Sequence, residues 1–258
     1  MPTVEFMEVK TPHGVFVDGR VLKPKNFDAS KKYPVIFHVY GEPWGQVAED
    51  SWVGLWNVML TQLGYIVIDI DPRGTPCLKG SEWRKSIYRN IGRVNIKDLG
   101  EAAKKFLELP YLDSERVAVW GWSGGGSSTL NLLFQYSDVF QTGVSVAPVA
   151  NQLTYDNIYQ ERYMGLPQEN KEDFIAGSPM THAKNLKGNL LLIHGTADDN
   201  VHYQNAEMLV NELIAQNKQF DMLSYPNRSH GIYEGRNTRR HLYTLITNYF
   251  LEHVPVKK

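Results

Sequence analysis

The sequence carries one serine in a setting typical of a nucleophile. Ser123 is the centre of Gly-Trp-Ser-Gly-Gly at 121–125, a Gly-x-Ser-x-Gly motif. A short apolar run over 117–120 precedes the motif, and a helix-compatible segment over 129–133 follows it. This order of strand, turn and helix is typical of a sharp elbow that exposes the serine hydroxyl, and the flanking glycines leave room for so tight a turn. The motif therefore predicts a serine nucleophile at position 123.

A serine hydroxyl needs a base that takes its proton and a third group that orients this base. His230 lies in a glycine-flanked loop after the last predicted strand, where the chain order serine, acid, histidine of the α/β-hydrolase fold places the base. Asp198 and Asp199 both follow the preceding strand. Because adjacent side chains point apart, only one of them can serve as the acid, and the residues alone leave this choice open.

The carbonyl oxygen that is attacked becomes negative and needs preorganised hydrogen-bond donors. The backbone N–H of Gly124, directly after the nucleophile, is the expected first donor. Tyr40 ends a predicted strand and offers a hydroxyl as the second donor. The alternative interpretation is an ordinary buried aromatic residue at a strand end, which on the residues alone is the commoner case.

Strands and helices alternate along the chain and predict the frame that positions these groups. Residues 4–22 indicate a hairpin; strands are predicted at 34–40, 65–70, 116–120, 142–147, 189–195 and 220–225, and helices at 51–63, 95–108, 203–216 and 237–252. Residues 75–93 lack a clean period, and residues 148–188 are predicted to be irregular with short helical patches. The alternation predicts an α/β-hydrolase fold with one mostly parallel central sheet and helices on both faces, and sites at the carboxyl ends of the strands. No domain boundary is apparent, so residues 1–258 are expected to form a single catalytic domain.

Composition argues against several classes of partner and cofactor. The formal net charge is -1 over 258 residues with no dense basic tract, which argues against a nucleic acid or an anionic membrane as partner. Cys77 is the only cysteine, so neither an intrachain disulfide nor a thiolate metal cluster can form. No apolar run is long enough to span a membrane, and the first residues do not form a signal peptide. The chemistry of a serine, a histidine and an acid needs no metal and no cofactor.

Five segments carry a more specific signal. They are Gly-Trp-Ser-Gly-Gly at 121–125, Val-Ala-Pro-Val at 146–149, Tyr-Asp-Asn-Ile-Tyr-Gln-Glu-Arg-Tyr-Met-Gly at 155–165, His-Gly-Thr-Ala-Asp-Asp-Asn-Val-His at 194–202, and the loop with His230 and Gly231. Together they resemble the prolyl oligopeptidase family, and within it the dipeptidyl peptidase IV branch. The resemblance runs from about residue 30 to residue 252.

This resemblance implies a serine peptidase that works through an acyl-enzyme. The enzyme would cut after proline, or less well alanine, in the second position from a free N-terminus. It implies Asp198 rather than Asp199 as the acid that accompanies Ser123 and His230, and Tyr40 as the second oxyanion donor. It also implies a proline pocket of Trp122, Val149, Tyr155, Tyr159 and Val201, and a contact from Asn200 to the substrate carbonyl one residue upstream.

Four positions depart from the family pattern. Gly124 stands where the family usually has a tyrosine after the nucleophile, and Gln152 stands where the branch has a tryptophan in the pocket. Glu42 replaces a glycine after the oxyanion tyrosine, and Asp-Pro-Arg-Gly at 71–74 replaces the usual Asp-Gly-Arg-Gly. These changes predict that selectivity for proline is not strict.

Family members also carry an N-terminal β-propeller, and the sequence has no run of strands of that kind. The resemblance therefore implies a β-propeller in the parent protein, an exported parent whose signal is absent from this chain, and a homodimer as one assembly. A carboxylesterase that uses the same triad is the main alternative function. A non-enzymatic partner-binding domain is a further alternative, disfavoured because Ser123, Asp198 and His230 are all present.

Overall fold

A single sheet of eight strands runs through the computed structural model, which describes residues 1–256. The strands are β1 (Thr3–Lys10), β2 (Phe16–Lys23), β3 (Tyr33–Val39), β4 (Ile66–Asp71), β5 (Leu112–Trp122), β6 (Thr142–Val146), β7 (Asn189–Gly195) and β8 (Asp221–Tyr225). Their order in the sheet is β1-β2-β4-β3-β5-β6-β7-β8. The pairs β1–β2 and β2–β4 are antiparallel, and the other neighbouring pairs are parallel. The predicted hairpin and the mostly parallel sheet are both confirmed.

Helices cover both faces of this sheet. The α-helices within residues 1–256 are α1 (Leu55–Leu63), α2 (Ser81–Lys85), α3 (Val94–Phe106), α4 (Gly124–Gln135), α5 (Asn157–Met164), α6 (Pro167–Gly177), α7 (Gln204–Ala215) and α8 (Thr238–His253). Phe37 and Val119 belong to a core that includes residues of α3, α4 and α7. Their neighbours in sequence, Ile36 and Ala118, belong to a second core with α1 and α8. Because side chains alternate between the faces of a strand, the two cores lie on opposite sides of the sheet, and the α/β-hydrolase prediction is confirmed.

The helix predicted over 51–63 is shorter than expected, and only some of its apolar residues are buried in the core. The helix begins at Leu55, with Gly54 at its N-cap. Trp52 and Leu55 are 79% and 78% exposed, whereas Val58 and Leu60 are buried. The spacing predicted the helical period correctly, but it cannot say which side of a helix meets the sheet.

Two other boundaries differ from the predictions. The strand predicted over 116–120 begins at Leu112 and runs to Trp122. Residues 148–188 contain α5 and α6, in agreement with the short helical patches predicted there, whereas α2, within 75–93, was not predicted. A helix of five residues is too short to show a clear period in the sequence. Within residues 1–256, no helix combines the length and the apolar character that crossing a bilayer requires.

Candidate active site

A strained turn presents the serine between β5 and α4. Ser123 has φ 60° and ψ -120°, in the region with positive φ that few residues other than glycine adopt. The turn is possible because its neighbours lack side chains. A Cβ at Gly121 would lie 2.5 Å from the Val39 carbonyl oxygen, and a Cβ at Gly125 would lie 2.3 Å from the same atom. The predicted steric reason for these two glycines is confirmed.

An aspartate and a histidine form a short pair on the loops after β7 and β8. His230 Nδ1 lies 2.7 Å from Asp198 Oδ2. The other carboxylate oxygen accepts the backbone N–H groups of Asn200 at 3.0 Å and Val201 at 2.9 Å. Burial opposes ionisation of Asp198, but hydrogen bonds from His194 and His230 outweigh it and lower the pKa of Asp198 well below its ordinary value. An ionised carboxylate can only accept, so His230 Nδ1 carries the proton and Nε2 is left as a base.

The geometry distinguishes the two candidate acids, Asp198 and Asp199, and shows the role of a second histidine near them, His194. Asp199 is exposed, and it is Asp198 that contacts His230. His194, the second-last residue of β7, is fully buried, and its Nε2 donates to the Val201 carbonyl oxygen at 2.8 Å. His194 Nε2 also lies 3.2 Å from Asp198 Oδ2, so it supports the acid from the side opposite the solvent.

A cavity of about 610 Å³ lies at the nucleophile. The predicted site residues that line it are Tyr40, Ser123, Tyr155, Tyr159, Asn200 and His230. The nucleophile, the base and the proposed oxyanion tyrosine therefore share one space. Burial, and to a lesser degree the charge of Glu42, raise the pKa of Tyr40 far above its ordinary value. The Tyr40 hydroxyl therefore stays protonated and is able to donate a hydrogen bond.

Three tyrosines spaced four residues apart form an aromatic wall of the cavity. The ring centroids of Tyr155 and Tyr159 are 5.2 Å apart, and those of Tyr159 and Tyr163 are 4.9 Å apart. The Tyr155 hydroxyl donates to Asn200 Oδ1 at 2.7 Å, and the Tyr159 hydroxyl donates to Glu42 Oε2 at 2.5 Å. The rings of Tyr155 and Tyr159 thus present apolar surface while their hydroxyls are satisfied by partners.

Other predicted contacts lie outside the lining of this cavity. Val149 and Val201 are 2% and 0% exposed. The indole N–H of Trp122 donates to the His230 carbonyl oxygen at 2.9 Å, which holds the loop of the base. Gly124 is buried next to the nucleophile. Contact of these residues with a substrate stays a prediction, as does the role of the Gly124 N–H.

The cavity also has lining residues that the sequence did not identify: Trp44, Asp156, Ile158, Arg162 and Tyr163. Tyr163 repeats the spacing of the two predicted tyrosines, so extending that pattern by one more helical turn could have found it. Trp44 lies in a loop directly after a buried strand and is 68% exposed, a combination that only the structure reveals. Gln152, at the position where the branch has a tryptophan, is buried and accepts a hydrogen bond from Gln160 at 2.5 Å.

Comparisons with known proteins agree with this geometry. Residues 52–256 match the sequence profile of the "Prolyl oligopeptidase family". The chain is similar to "Prolyl endopeptidase FAP" of Mus musculus, with 36% identity over 253 residues, which is 96% of this chain and 33% of that protein. It is also 42% identical over 229 residues to "Probable dipeptidyl-aminopeptidase B" of Trichophyton verrucosum, covering 85% of this chain and 25% of that protein.

A solved structure of a relative has the same fold. The crystal structure of Porphyromonas gingivalis dipeptidyl peptidase 4 superposes with a TM-score of 0.94 and 39% identity, covering 98% of this chain and 36% of that chain. The chain thus spans between a quarter and about a third of the length of these relatives. The match covers the elbow, the acid loop and the histidine loop together, and on this ground the chain belongs to the prolyl oligopeptidase family.

Proposed function

We propose that this chain is the catalytic domain of a serine peptidase of the dipeptidyl-peptidase type. Its substrate would be a peptide with proline, or less well alanine, in the second position from a free N-terminus. The observation that carries the proposal is a strained Ser123 at the same cavity as a histidine whose Nδ1 lies 2.7 Å from a buried aspartate. The names of the relatives, a prolyl endopeptidase and dipeptidyl peptidases, support the choice of substrate class.

The proposed reaction follows from the proton positions. Ser123 Oγ attacks the carbonyl carbon while His230 Nε2 takes its proton, and ionised Asp198 stabilises the imidazolium that forms. The Tyr40 hydroxyl and the Gly124 N–H hold the oxyanion. The amine leaves with the proton of the imidazolium, and an acyl-enzyme remains. Water then attacks the ester by the same route, with His230 again as the base, and releases the free serine.

The aromatic wall gives a reason for proline. The rings of Tyr155 and Tyr159 offer apolar faces to a pyrrolidine ring, which has no N–H of its own once it is in a peptide. Asn200 lines the same cavity and is suited to hold the carbonyl one residue upstream.

The rest of the parent protein enters as part of the proposal. Residues 1–258 would be one catalytic domain, and the parent would carry a β-propeller with the glutamates that grip the amino terminus of the substrate. In support, the relatives are three to four times as long as the matched segment. Export of the parent and a homodimeric assembly stay predictions from the family resemblance.

The test is release of p-nitroaniline from Gly-Pro-p-nitroanilide, with Ser123→Ala as the matched control. We expect turnover by the wild type and its loss in the variant; equal rates for both proteins would contradict the proposal. Turnover of p-nitrophenyl acetate by the same preparation, with no amide turnover, would favour the carboxylesterase instead. Failure of a fluorophosphonate probe to label Ser123 would favour the partner-binding domain.

A further inference from the structure

Two of the departures from the family pattern touch each other in the fold. Glu42, on the loop after β3, is 4% exposed. A Cβ built at Gly124 would lie 2.8 Å from both Cδ and Oε2 of Glu42, and 3.1 Å from its Cβ. A separation of 2.8 Å is shorter than real Cβ contacts, so the Glu42 carboxyl would have to shift to make room for a side chain at position 124.

The position of this carboxyl next to the nucleophile also has electrostatic consequences. Within residues 1–256, the one hydrogen bond to this carboxyl comes from the Tyr159 hydroxyl at 2.5 Å. Among residues 1–256, no basic side chain forms an ion pair with it. Burial raises the pKa of Glu42 to about 7, although the hydrogen bond from Tyr159 acts in the opposite direction.

The groups that feel charge on Glu42 come from its own loop and from the aromatic wall. They are Tyr40, Tyr155 and Tyr159, and negative charge on Glu42 raises the pKa of each of them. The third element packed against the carboxyl is the start of α4, where Gly124 supplies no side chain. Since Tyr40 is the proposed oxyanion donor, the carboxyl lies within electrostatic reach of the place where negative charge develops.

We propose that Glu42 is a positioning residue of this site: its carboxyl fills the space that Gly124 leaves open, holds Tyr159 at the cavity wall, and when ionised opposes the negative charge on the attacked carbonyl oxygen. The electrostatic part rests on the proposed serine-hydrolase function, whereas the packing part does not. A carboxylate near an oxyanion repels it most strongly where water is excluded, as it is around Glu42. The site is therefore most active while Glu42 is protonated.

The electrostatic part is tested with Glu42→Gln, which keeps the size of the side chain and an acceptor for Tyr159 but cannot ionise. The quantity is kcat/KM of the variant divided by kcat/KM of the wild type, on Gly-Pro-p-nitroanilide. This ratio cancels titration of the substrate and of groups that both proteins share. We expect it to rise about tenfold from about pH 5.5 to about pH 8.5, because only the wild type acquires the charge. A purely structural role of Glu42 would lower the ratio at every pH.

Asp71→Asn is the matched control. Asp71 is also a buried carboxyl whose pKa burial raises to about 7, but its hydrogen bonds come from the backbone N–H groups of Val47 and Ala48, whereas that of Glu42 comes from Tyr159, which lines the cavity. Its ratio should stay level with pH. A level ratio for Glu42→Gln, or a rise for Asp71→Asn in its place, would overturn the electrostatic part. Absence of any turnover that depends on Ser123 would instead contradict the proposed function.

The packing part has a readout that needs no activity. Gly124→Ala should lower the urea midpoint of unfolding in the wild-type background, because its Cβ meets the Glu42 carboxyl. In the Glu42→Gly background the same substitution should leave the midpoint unchanged, since the space is then free. Equal losses in both backgrounds would overturn the claim that the two positions share one space.

Discussion

Two of the aspartate–histidine pairs in this protein, both made through the Nδ1 atom of the ring, have closely similar contacts. His230 Nδ1 lies 2.7 Å from Asp198, and His38 Nδ1 lies 2.7 Å from Asp69. Both carboxylate side chains are completely buried, and both rings are about a fifth exposed, at 21% for His230 and 23% for His38. Judged by distance and burial alone, either pair could serve a nucleophile.

Their surroundings differ. Asp69 and His38 are directly paired across neighbouring strands, and Arg20 and Trp120 extend the same row to either side. Arg20 Nε donates to Asp69 Oδ2 at 2.7 Å, and the His38 ring stacks on Trp120 with centroids 4.6 Å apart. The His38 pair thus lies within the sheet, whereas Asp198 and His230 lie on loops, with His230 at the cavity. The comparison teaches that an aspartate and a histidine become a catalytic device only where a nucleophile and space for a substrate meet them.

The largest expected effect separates the two pairs by activity. Asp198→Asn should lower kcat by about 10⁴, because the amide favours the wrong tautomer of His230. Asp69→Asn should change kcat by less than about tenfold, since its histidine has no nucleophile to serve. Both are measured as p-nitroaniline release per folded enzyme. Comparable losses in the two variants would break the distinction between the pairs.

Stability should show what the buried row across the sheet contributes, compared with an exposed ion pair. Asp69→Asn removes the charge that balances Arg20 inside the sheet, so the free energy of unfolding should fall by about 3–5 kcal/mol. Asp138→Asn, at a 68% exposed side chain near Lys104, is the surface control and should stay within about 0.5 kcal/mol. Urea unfolding measures both. A wild-type midpoint for Asp69→Asn would mean that the row across the sheet contributes little to stability.

Glu42 is a buried carboxyl with no histidine partner, and its pKa is shifted upwards, opposite to the downward shift of Asp198. The pKa of Glu42 is raised from 4.5 to about 7, so the folded protein holds a proton that the unfolded chain has lost in this range. Stability should therefore fall by about 3 kcal/mol on Glu42's account as the pH rises from about 4.5 to about 7, and then level off. Urea titrations across this range should show a shallower decline for Glu42→Gln. An unaltered decline would place the titration elsewhere.

The smallest effect concerns how each histidine is held. His38 is fixed by its strand, whereas the loop of His230 is tied by the indole N–H of Trp122, 2.9 Å from the His230 carbonyl oxygen. Trp122→Phe should lower kcat about three- to tenfold, in line with the loss of one hydrogen bond. Trp56→Phe loses an equivalent bond to Thr247, also 2.9 Å, and should leave kcat unchanged. Equal kinetic losses would indicate a general destabilisation rather than a displaced base.

Much of the proposed site at the carboxyl ends of the strands could be predicted, because its residue types follow from local chemistry. The glycines around Ser123 answer a steric demand within a few residues, and the order of acid and base along the chain restricts the choice to two aspartates and one histidine. Parallel strands that are buried on both faces can also be recognised in the sequence as continuous apolar runs. These signals need no knowledge of which distant segments meet.

The remaining features depend on contacts between segments that are distant in the sequence, and no local pattern predicts such contacts. Trp52, which precedes α1, and Leu55, its first residue, have the spacing of a buried helical face, so the pattern could not reveal that both are exposed. The departures at Glu42 and Gly124 were each visible, but their contact becomes evident only when the loop after β3 and the start of α4 come together. Trp44 was not predicted as a cavity residue, because its place in the lining also depends on contacts between distant segments.

The contact between positions 42 and 124 also has a consequence for engineering of the site. A Cβ at position 124 would lie 2.8 Å from the Glu42 carboxyl, so any side chain introduced there requires the carboxyl to shift or to be replaced. A library that explores substituents directly after the nucleophile should therefore vary positions 42 and 124 together.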